Sequence, residues 1–256
     1  MSDGQDKLED RDFVQSLERG LAVIRAFGEA HPRLTLTEVA SRAGISRAAA
    51  RRLLLTLQKL GYVGSDDGKH FVLRPAVLDL GYAYLAALPW WREAQRLVAP
   101  VAVAIGHACA IGVLDGRDVV YVAYAAPHPM PGMDRSIGTR LPAHATAIGR
   151  VLLAGLPEAA VAQVIGAAPL PGFTPFTITA PARLAAALAA TRQSGHCLID
   201  QELRLGLRSM AVPVMDRAGH IRAALSASFG LTDPAEPAAL LPALRQAAET
   251  IGRGMS

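Results

Sequence analysis

Apolar residues recur along this chain in two spacings, and the helical one comes first. Leu17, Leu21, Ile24 and then Ala26-Phe27 return at three- and four-residue intervals, which predicts one amphipathic helix ending near Gly28. A second helix opens at Thr35-x-x-Glu38, a pair that can satisfy two unpaired backbone N–H groups reciprocally. Leu36, Val39, Ala40 and Ala43 form its inner face, and Gly44 ends it. Ile45 is expected in the core, with Ser46 capping a third helix that runs to Leu60. Ala50, Leu53, Leu54, Leu57 and Leu60 gather on one side of that helix; Arg47, Ala48, Arg51, Arg52 and Lys59 occupy the rest, and Leu55 falls on the polar side without a role. Gly61 stops it. Tyr62-Val63 and His70–Leu73 then flank an Asp-Gly turn, the signal of a β-hairpin.

A fourth helix begins at Pro75, with Val77-Leu78, Leu80-Gly81, Tyr84-Leu85 and Leu88 at helical spacing. It reads equally as a core helix or as a linker through which two protomers pair. Pro89 breaks it, and Trp91 to Ile105 forms the next helix. From there the spacing shortens to that of strands. Ala108–Leu114 and Asp118–Ala125 make one antiparallel hairpin, and Leu207–Val214 with Ile221–Phe229 a second, turned at 216–219. Between them lie a proline-rich loop (126–134), a helix from Ala143 to Leu156, two further helices (158–165 and 181–194) and the run Cys197-Leu198-Ile199 leading into a charged segment. A helix from about Glu236 to Ile251 closes the chain. The expected class is α+β: a disordered tail (1–12), a winged helix-turn-helix (13–75), a linker helix (76–90) and a sensor-like antiparallel sheet with helices (91–256).

Charge sharpens this picture. Between Arg33 and Arg74 there are eight Lys or Arg against three acids, whereas the first twelve residues hold five acids against Lys7 and Arg11. A basic face on a small domain suits phosphate contacts, although solvated surface arginines would look the same. The two cysteines form no disulfide framework and fit a reducing cytoplasm. The acidic, polar start is no secretory signal, and no apolar run approaches the ~18 residues of a membrane span.

Helix, glycine turn, acid-free basic helix and hairpin together point to double-stranded DNA. In a helix-turn-helix the first turns of the second helix enter the major groove, where Arg binds guanine O6 and N7 and small residues allow close approach. The residues expected at DNA are Thr35, Ser46, Arg47, Ala48, Arg51 and Arg52, with Lys69 at the wing. An enzyme is the rival class. His107-x-Cys109 with His128 and His144 lacks the paired spacing of a zinc site, and Cys197 has no activating neighbour in sequence. Asp200 and Glu202 would share a strand face but have no matching nucleophile. No catalytic, metal or cofactor residue is therefore assigned. A constitutive architectural DNA binder would need no sensor domain, and a helix-turn-helix used for protein contacts would not need an acid-free helix.

Four passages, SLERGLAVIRAF (16–27), the helix-turn-helix, GTRLPAHATAIGRVLLA (138–154) and DQELRLGLRSMAVPV (200–214) continuing to AALSAS (223–228), resemble the IclR family of bacterial transcriptional regulators from about Val14 to Ile251. ARRLLLTLQKLGYV (50–63) and LDLGYAYLAALPWW (78–91) look most like its branch that responds to aromatic acids of protocatechuate, 4-hydroxybenzoate and β-ketoadipate catabolism. The resemblance implies a GAF-like effector domain, a dimer or dimer of dimers on palindromic operators, and a small carboxylate effector. An aromatic acid is expected, with a small aliphatic acid as the alternative. It places the pocket at Ala145, Thr146 and Ala147, whose backbone N–H groups at a helix start suit an anion. It adds Asp200 at the rim, Ser209 and Met210 on the third strand, and Ser226 and Ser228 on the fourth, with Arg140 and Arg204 as candidate cations. His144 and Ala147-Ile148 depart from the family pattern, which makes a less polar pocket floor the expectation.

Overall fold

A computed structural model describes residues 12–128, 135–166, 168–231, 233 and 237–255. Residues 1–11 of the expected tail, residues 129–134 of the proline-rich loop and the expected helix start at Glu236 lie outside the described residues. The chain divides into two units, Met1–Tyr84 and Leu85–Ser256.

The first unit runs α1 (Gln15–Arg25), β1 (Leu34–Thr35), α2 (Leu36–Arg42), α3 (Arg47–Lys59), β2 (Val63–Gly64), β3 (His70–Leu73) and then α4 (Val77–Ala86), which crosses the division. Its core is Val23, Phe27, Leu34, Val39, Leu54, Leu57 and Val63, joined by small alanines. The caps form as their residues require. Thr35 and Glu38 close a capping box, Ser46 Oγ accepts the Ala49 N–H at 3.2 Å, and Gly44 and Gly61 take positive φ at the two helix ends. The wing contains a strand that local pattern did not show: Leu34 and Thr35 pair with Phe71 and His70, giving a three-stranded sheet in the order β1-β3-β2.

Three expected core positions are corrected. Leu17 and Leu21 are 63% and 40% exposed, because α1 packs through Val23, which stands roughly 120° and 160° around the helix from them. Leu60 is 61% exposed, since the helix ends at Lys59 and Gly61 swings the chain so that Tyr62 turns inward. Leu54 is the largest side chain of this unit with no exposed surface. Leu54→Ala is expected to cost about 2–5 kcal/mol, the range for a truncated core leucine. Hydrogen exchange over residues 23–63 checks this, with acceleration confined to the first unit.

The second unit runs α5 (Trp91–Ile105), β4 (Ala108–Asp115), β5 (Asp118–Ala125), β6 (Arg140–Pro142), a 3-10 turn (Ala143–Ala145), α6 (Ala147–Ala154), α7 (Glu158–Ile165), α8 (Pro181–Ser194), β7 (Cys197–Asp200), β8 (Leu207–Met215), β9 (Ile221–Gly230) and α9 (Pro237–Arg253). All six strands form one antiparallel sheet in the order β6-β5-β4-β9-β8-β7. Both its faces are covered, so the central strands are mostly buried on both sides, while edge strand β7 alternates buried and exposed positions. On one face Ile111, Val122, Met210, Val212, Leu225 and Phe229 meet α5 and α9, and the Trp91 indole N–H donates to the Val122 carbonyl at 2.9 Å. On the other, Ala110, Val119, Tyr121, Ala211 and Ala224 meet α6 and α8. The helix expected to start at Ala143 begins as a 3-10 turn, and Thr146 then caps α6. Of the charged segment after Ile199, Asp200 ends edge strand β7 and residues 201–204 leave the strand.

Candidate functional site

In the first unit, Arg47, Ala48, Arg51 and Arg52 lie exposed on the first turns of α3. Among the described residues the three guanidinium groups take part in no ion pair or side-chain hydrogen bond. They stand ready for an external anion. Thr35 and Ser46 are occupied as caps: the Thr35 hydroxyl donates to Glu38 Oε2 at 2.8 Å, and its backbone N–H donates to the same oxygen at 2.7 Å. These bonds hold the Glu38 carboxyl below its usual range.

At the wing, Lys69 is exposed while its backbone N–H donates to Asp67 Oδ1 at 2.9 Å. Asp67 organises this tip. It also accepts the His70 N–H at 2.7 Å, meets His70 Nδ1 at 2.7 Å and pairs with Arg33 at 3.2 Å. The His70 and Lys69 hydrogen bonds push the Asp67 carboxyl well down. His70, next to Lys69, has its Nδ1 turned to Asp67.

In the second unit, the small residues at the start of α6 face a cavity on the β5-β4-β9-β8 sheet. Ala145, Thr146, Ala147 and Ile148 form its floor. Ser209 on β8 and Ser226 and Ser228 on β9 line the sheet side; Ser209 and Ser228 are register partners, and Ser226 and Ser228 share a face because they are two apart. Ile199, Leu203 and Leu207 give an apolar wall. Arg135 completes the lining, its Nη1 donating to the Tyr121 hydroxyl at 3.0 Å and its guanidinium 6.0 Å from the Tyr121 ring centroid. Burial raises the Tyr121 phenol, with Arg135 opposing the shift. The cavity is about 20 Å³, room for about one water.

Four expected pocket residues do not line this cavity. Met210 neighbours Ser209 in a strand, so it points to the opposite face and packs in the core with Val212 and Val214. Asp200 lies on that same opposite face, exposed, and accepts from Arg208 Nη2 at 2.9 Å, which holds its carboxyl below the usual range. Arg140 sits on edge strand β6, held by Asp115 at 2.7 Å and Asp118 at 3.3 Å. Arg204 is exposed beyond the lining. The charged residue at the cavity is Arg135, passed over in the sequence because it follows a proline-rich loop with no periodicity. Asp200 and Glu202 do not share a face either: Gln201 turns the chain with φ +59°, and Glu202 is buried against Arg150.

The residues weighed for an enzyme are placed otherwise. Burial pushes the Cys109 thiol up to about 12 and raises that of Cys197. His107 Nδ1 is 3.4 Å from Asp233, and buried His144 is bonded through Nε2 to the Pro171 carbonyl at 2.9 Å. Burial lowers the His144 pKa. Among the described residues no three His, Cys, Asp or Glu side chains are arranged to hold a metal ion, and no helix is long and apolar enough to cross a membrane.

Comparison with known proteins matches both units. Residues 16–67 fit the IclR helix-turn-helix domain, and residues 82–253 fit the domain described as bacterial transcriptional regulator IclR C-terminal. The chain is 42% identical over 220 residues to the Pca regulon regulatory protein of Pseudomonas putida, covering 86% of this chain and 75% of that protein. It is 36% identical over 258 residues to the p-hydroxybenzoate hydroxylase transcriptional activator of Acinetobacter baylyi, covering 96% and 93%. An IclR homolog from Microbacterium hydrocarbonoxydans, solved in complex with 4-hydroxybenzoate, shares the fold with a TM-score of 0.84 at 24% identity, over 94% of this chain and 99% of that one. The inducer-binding domain of PobR from Acinetobacter, a double mutant solved with 3-hydroxybenzoic acid, matches with a TM-score of 0.56 at 34% identity, over 63% of this chain and 97% of that one.

Proposed function

We propose, since the chain belongs to the IclR family of DNA-binding transcriptional regulators, that its operator binding is controlled by a small aromatic carboxylate such as protocatechuate or 4-hydroxybenzoate. The observation that carries this reading is the Arg135 guanidinium at a cavity whose other walls are three serines, a tyrosine hydroxyl and a hydrophobic side. A carboxylate would take the guanidinium and the N–H groups at the start of α6. An aromatic ring would lie against Ile148, Ile199, Leu203 and Leu207, and ring hydroxyls would meet the serines. The regulator names among the relatives, Pca and p-hydroxybenzoate, favour an aromatic acid over a small aliphatic one.

A cavity of about 20 Å³ does not hold a benzoate ring, so the acid must select or create a wider state. That is the differential affinity an effector needs in order to shift a population. The DNA face of this reading is Arg47, Ala48, Arg51, Arg52 and Lys69, with Thr35 and Ser46 holding the helix starts. A homodimer or dimer of dimers on a palindromic operator fits the apolar side chains left exposed on α1 (Leu17) and α4 (Leu78, Leu80, Tyr82, Tyr84). Such a protein works in the cytoplasm, with residues 76–90 as the linker between its two domains.

Arg135→Met tests the carboxylate site. Titration calorimetry with 4-hydroxybenzoate, protocatechuate and pyruvate should show the aromatic acids binding the wild type, and the substitution weakening them about 10–100-fold, the loss of a charge-assisted pair. Ser226→Ala with Ser228→Ala should leave operator binding intact and blunt the response. Equal acid affinity in Arg135→Met and wild type would place the carboxylate elsewhere.

A further inference from the structure

Beside the cavity lies a buried ion pair whose two residues are not part of its lining. Arg150, on the second turn of α6, and Glu202, two residues past β7, are 4% and 7% exposed, and Arg150 Nη2 donates to Glu202 Oε2. Each also holds a neighbouring segment. Arg150 Nε donates to the His144 carbonyl at 2.9 Å, in the 3-10 turn that leads into the cavity floor. Glu202 Oε2 accepts the Ile178 N–H at 3.1 Å, and its carbonyl accepts the Thr177 hydroxyl at 2.6 Å. The Thr174 hydroxyl donates to the Gln201 carbonyl at 2.7 Å.

Gln201 is the one non-glycine with positive φ among the described residues, a conformation kept only where the surroundings impose it. Its backbone N–H donates to the Leu207 carbonyl at 2.8 Å, and its Oε1 accepts the Gly206 N–H at 3.0 Å, so residues 201–207 form a closed loop. That loop contributes Leu203 and Leu207 to the cavity wall. The two sides of the cavity, floor and loop, are thus joined through Arg150 and Glu202.

We propose that Arg150 and Glu202 are positioning residues for the effector cavity: their buried pair sets the distance between the α6 floor and the 201–207 wall, and so sets effector affinity without touching the effector. This rests on the effector reading above. A buried pair adds little net stability against well-packed apolar side chains of similar size, whereas removing one partner leaves an uncompensated charge. A positional role is therefore separable from a merely structural one.

Glu202→Gln keeps the shape and removes the charge. Hydrogen exchange should quicken in residues 201–207 and 143–149 and stay unchanged over the sheet. Affinity for 4-hydroxybenzoate should fall roughly 10-fold, with operator affinity in its absence unchanged. Arg150→Met with Glu202→Leu should melt above Glu202→Gln and still bind the acid weakly. Wild-type acid affinity in either folded variant, or exchange quickened evenly across the second unit, would overturn the proposal. A wild-type chain that binds no acid would overturn the effector reading, and the exchange pattern then decides this proposal alone.

Discussion

Gly149→Ala is expected to remove the response to effector and lower the melting temperature of the second unit, although the same change in most helices is favourable. Glycine costs a helix interior about 1 kcal/mol relative to alanine, so stability alone would favour alanine. At this position an added Cβ would stand 2.1 Å from the Ala143 carbonyl oxygen and 2.3 Å from its Cα. Both obstacles are backbone, and neither can rotate away. The 3-10 turn folds back onto α6 here, and the Gly149 N–H donates to the Thr146 cap at 3.2 Å. Relief would push residues 143–147, the cavity floor, away from the helix. Overpacking of this kind costs about 1–3 kcal/mol, enough to outweigh the propensity gain. Calorimetry with an acid titration checks it; a variant that melts and responds like the wild type would show that the turn yields freely.

Arg47→Ala and Arg51→Ala should each weaken operator binding by about 1–3 kcal/mol if the side chain reads a guanine edge. Among the described residues neither arginine has an ion pair to lose, so folding should be unaffected and the whole change should appear in binding. Comparison with random DNA separates two roles. Loss on operator DNA alone marks a base contact. Equal loss on both, with the salt dependence reduced by about one ion released, marks a phosphate contact.

What the sequence made legible follows from how local each feature is. The capping box at Thr35 and Glu38, the Ser46 cap and the glycine stops at Gly44 and Gly61 involve residues within a few positions of one another, so the helix-turn-helix could be read directly. The two hairpins were legible for the same reason. The pocket was harder because it is assembled from β5, the 3-10 turn, α6, β7, β8, β9 and two loops. Its floor at Ala145–Ala147 and its serines on β8 and β9 came from resemblance and from the two-residue period of strands. That period, applied to Ser209 and Met210, already separates them onto opposite faces. Arg135 had no such pattern, since it lies in irregular chain and reaches the cavity only through the fold. Glu202 was misread as sharing a face with Asp200 because strand alternation stops at Gln201, whose positive φ no local rule predicts for a glutamine. Leu17 and Leu21 satisfied helical spacing without being the buried face, which spacing cannot distinguish when a helix carries apolar residues on two sides.

The protein as a whole is read as a ligand switch acting on a DNA reader. Fluorescence anisotropy at fixed salt, with the full chain titrated onto labelled DNA flanking its own gene, tests it with and without 4-hydroxybenzoate, protocatechuate, pyruvate and glyoxylate. The predicted result is sequence-selective binding whose affinity changes 5–150-fold, roughly 1–3 kcal/mol, with an aromatic acid and not with the aliphatic ones. Selective binding indifferent to every acid, or no selective binding at all, would contradict it.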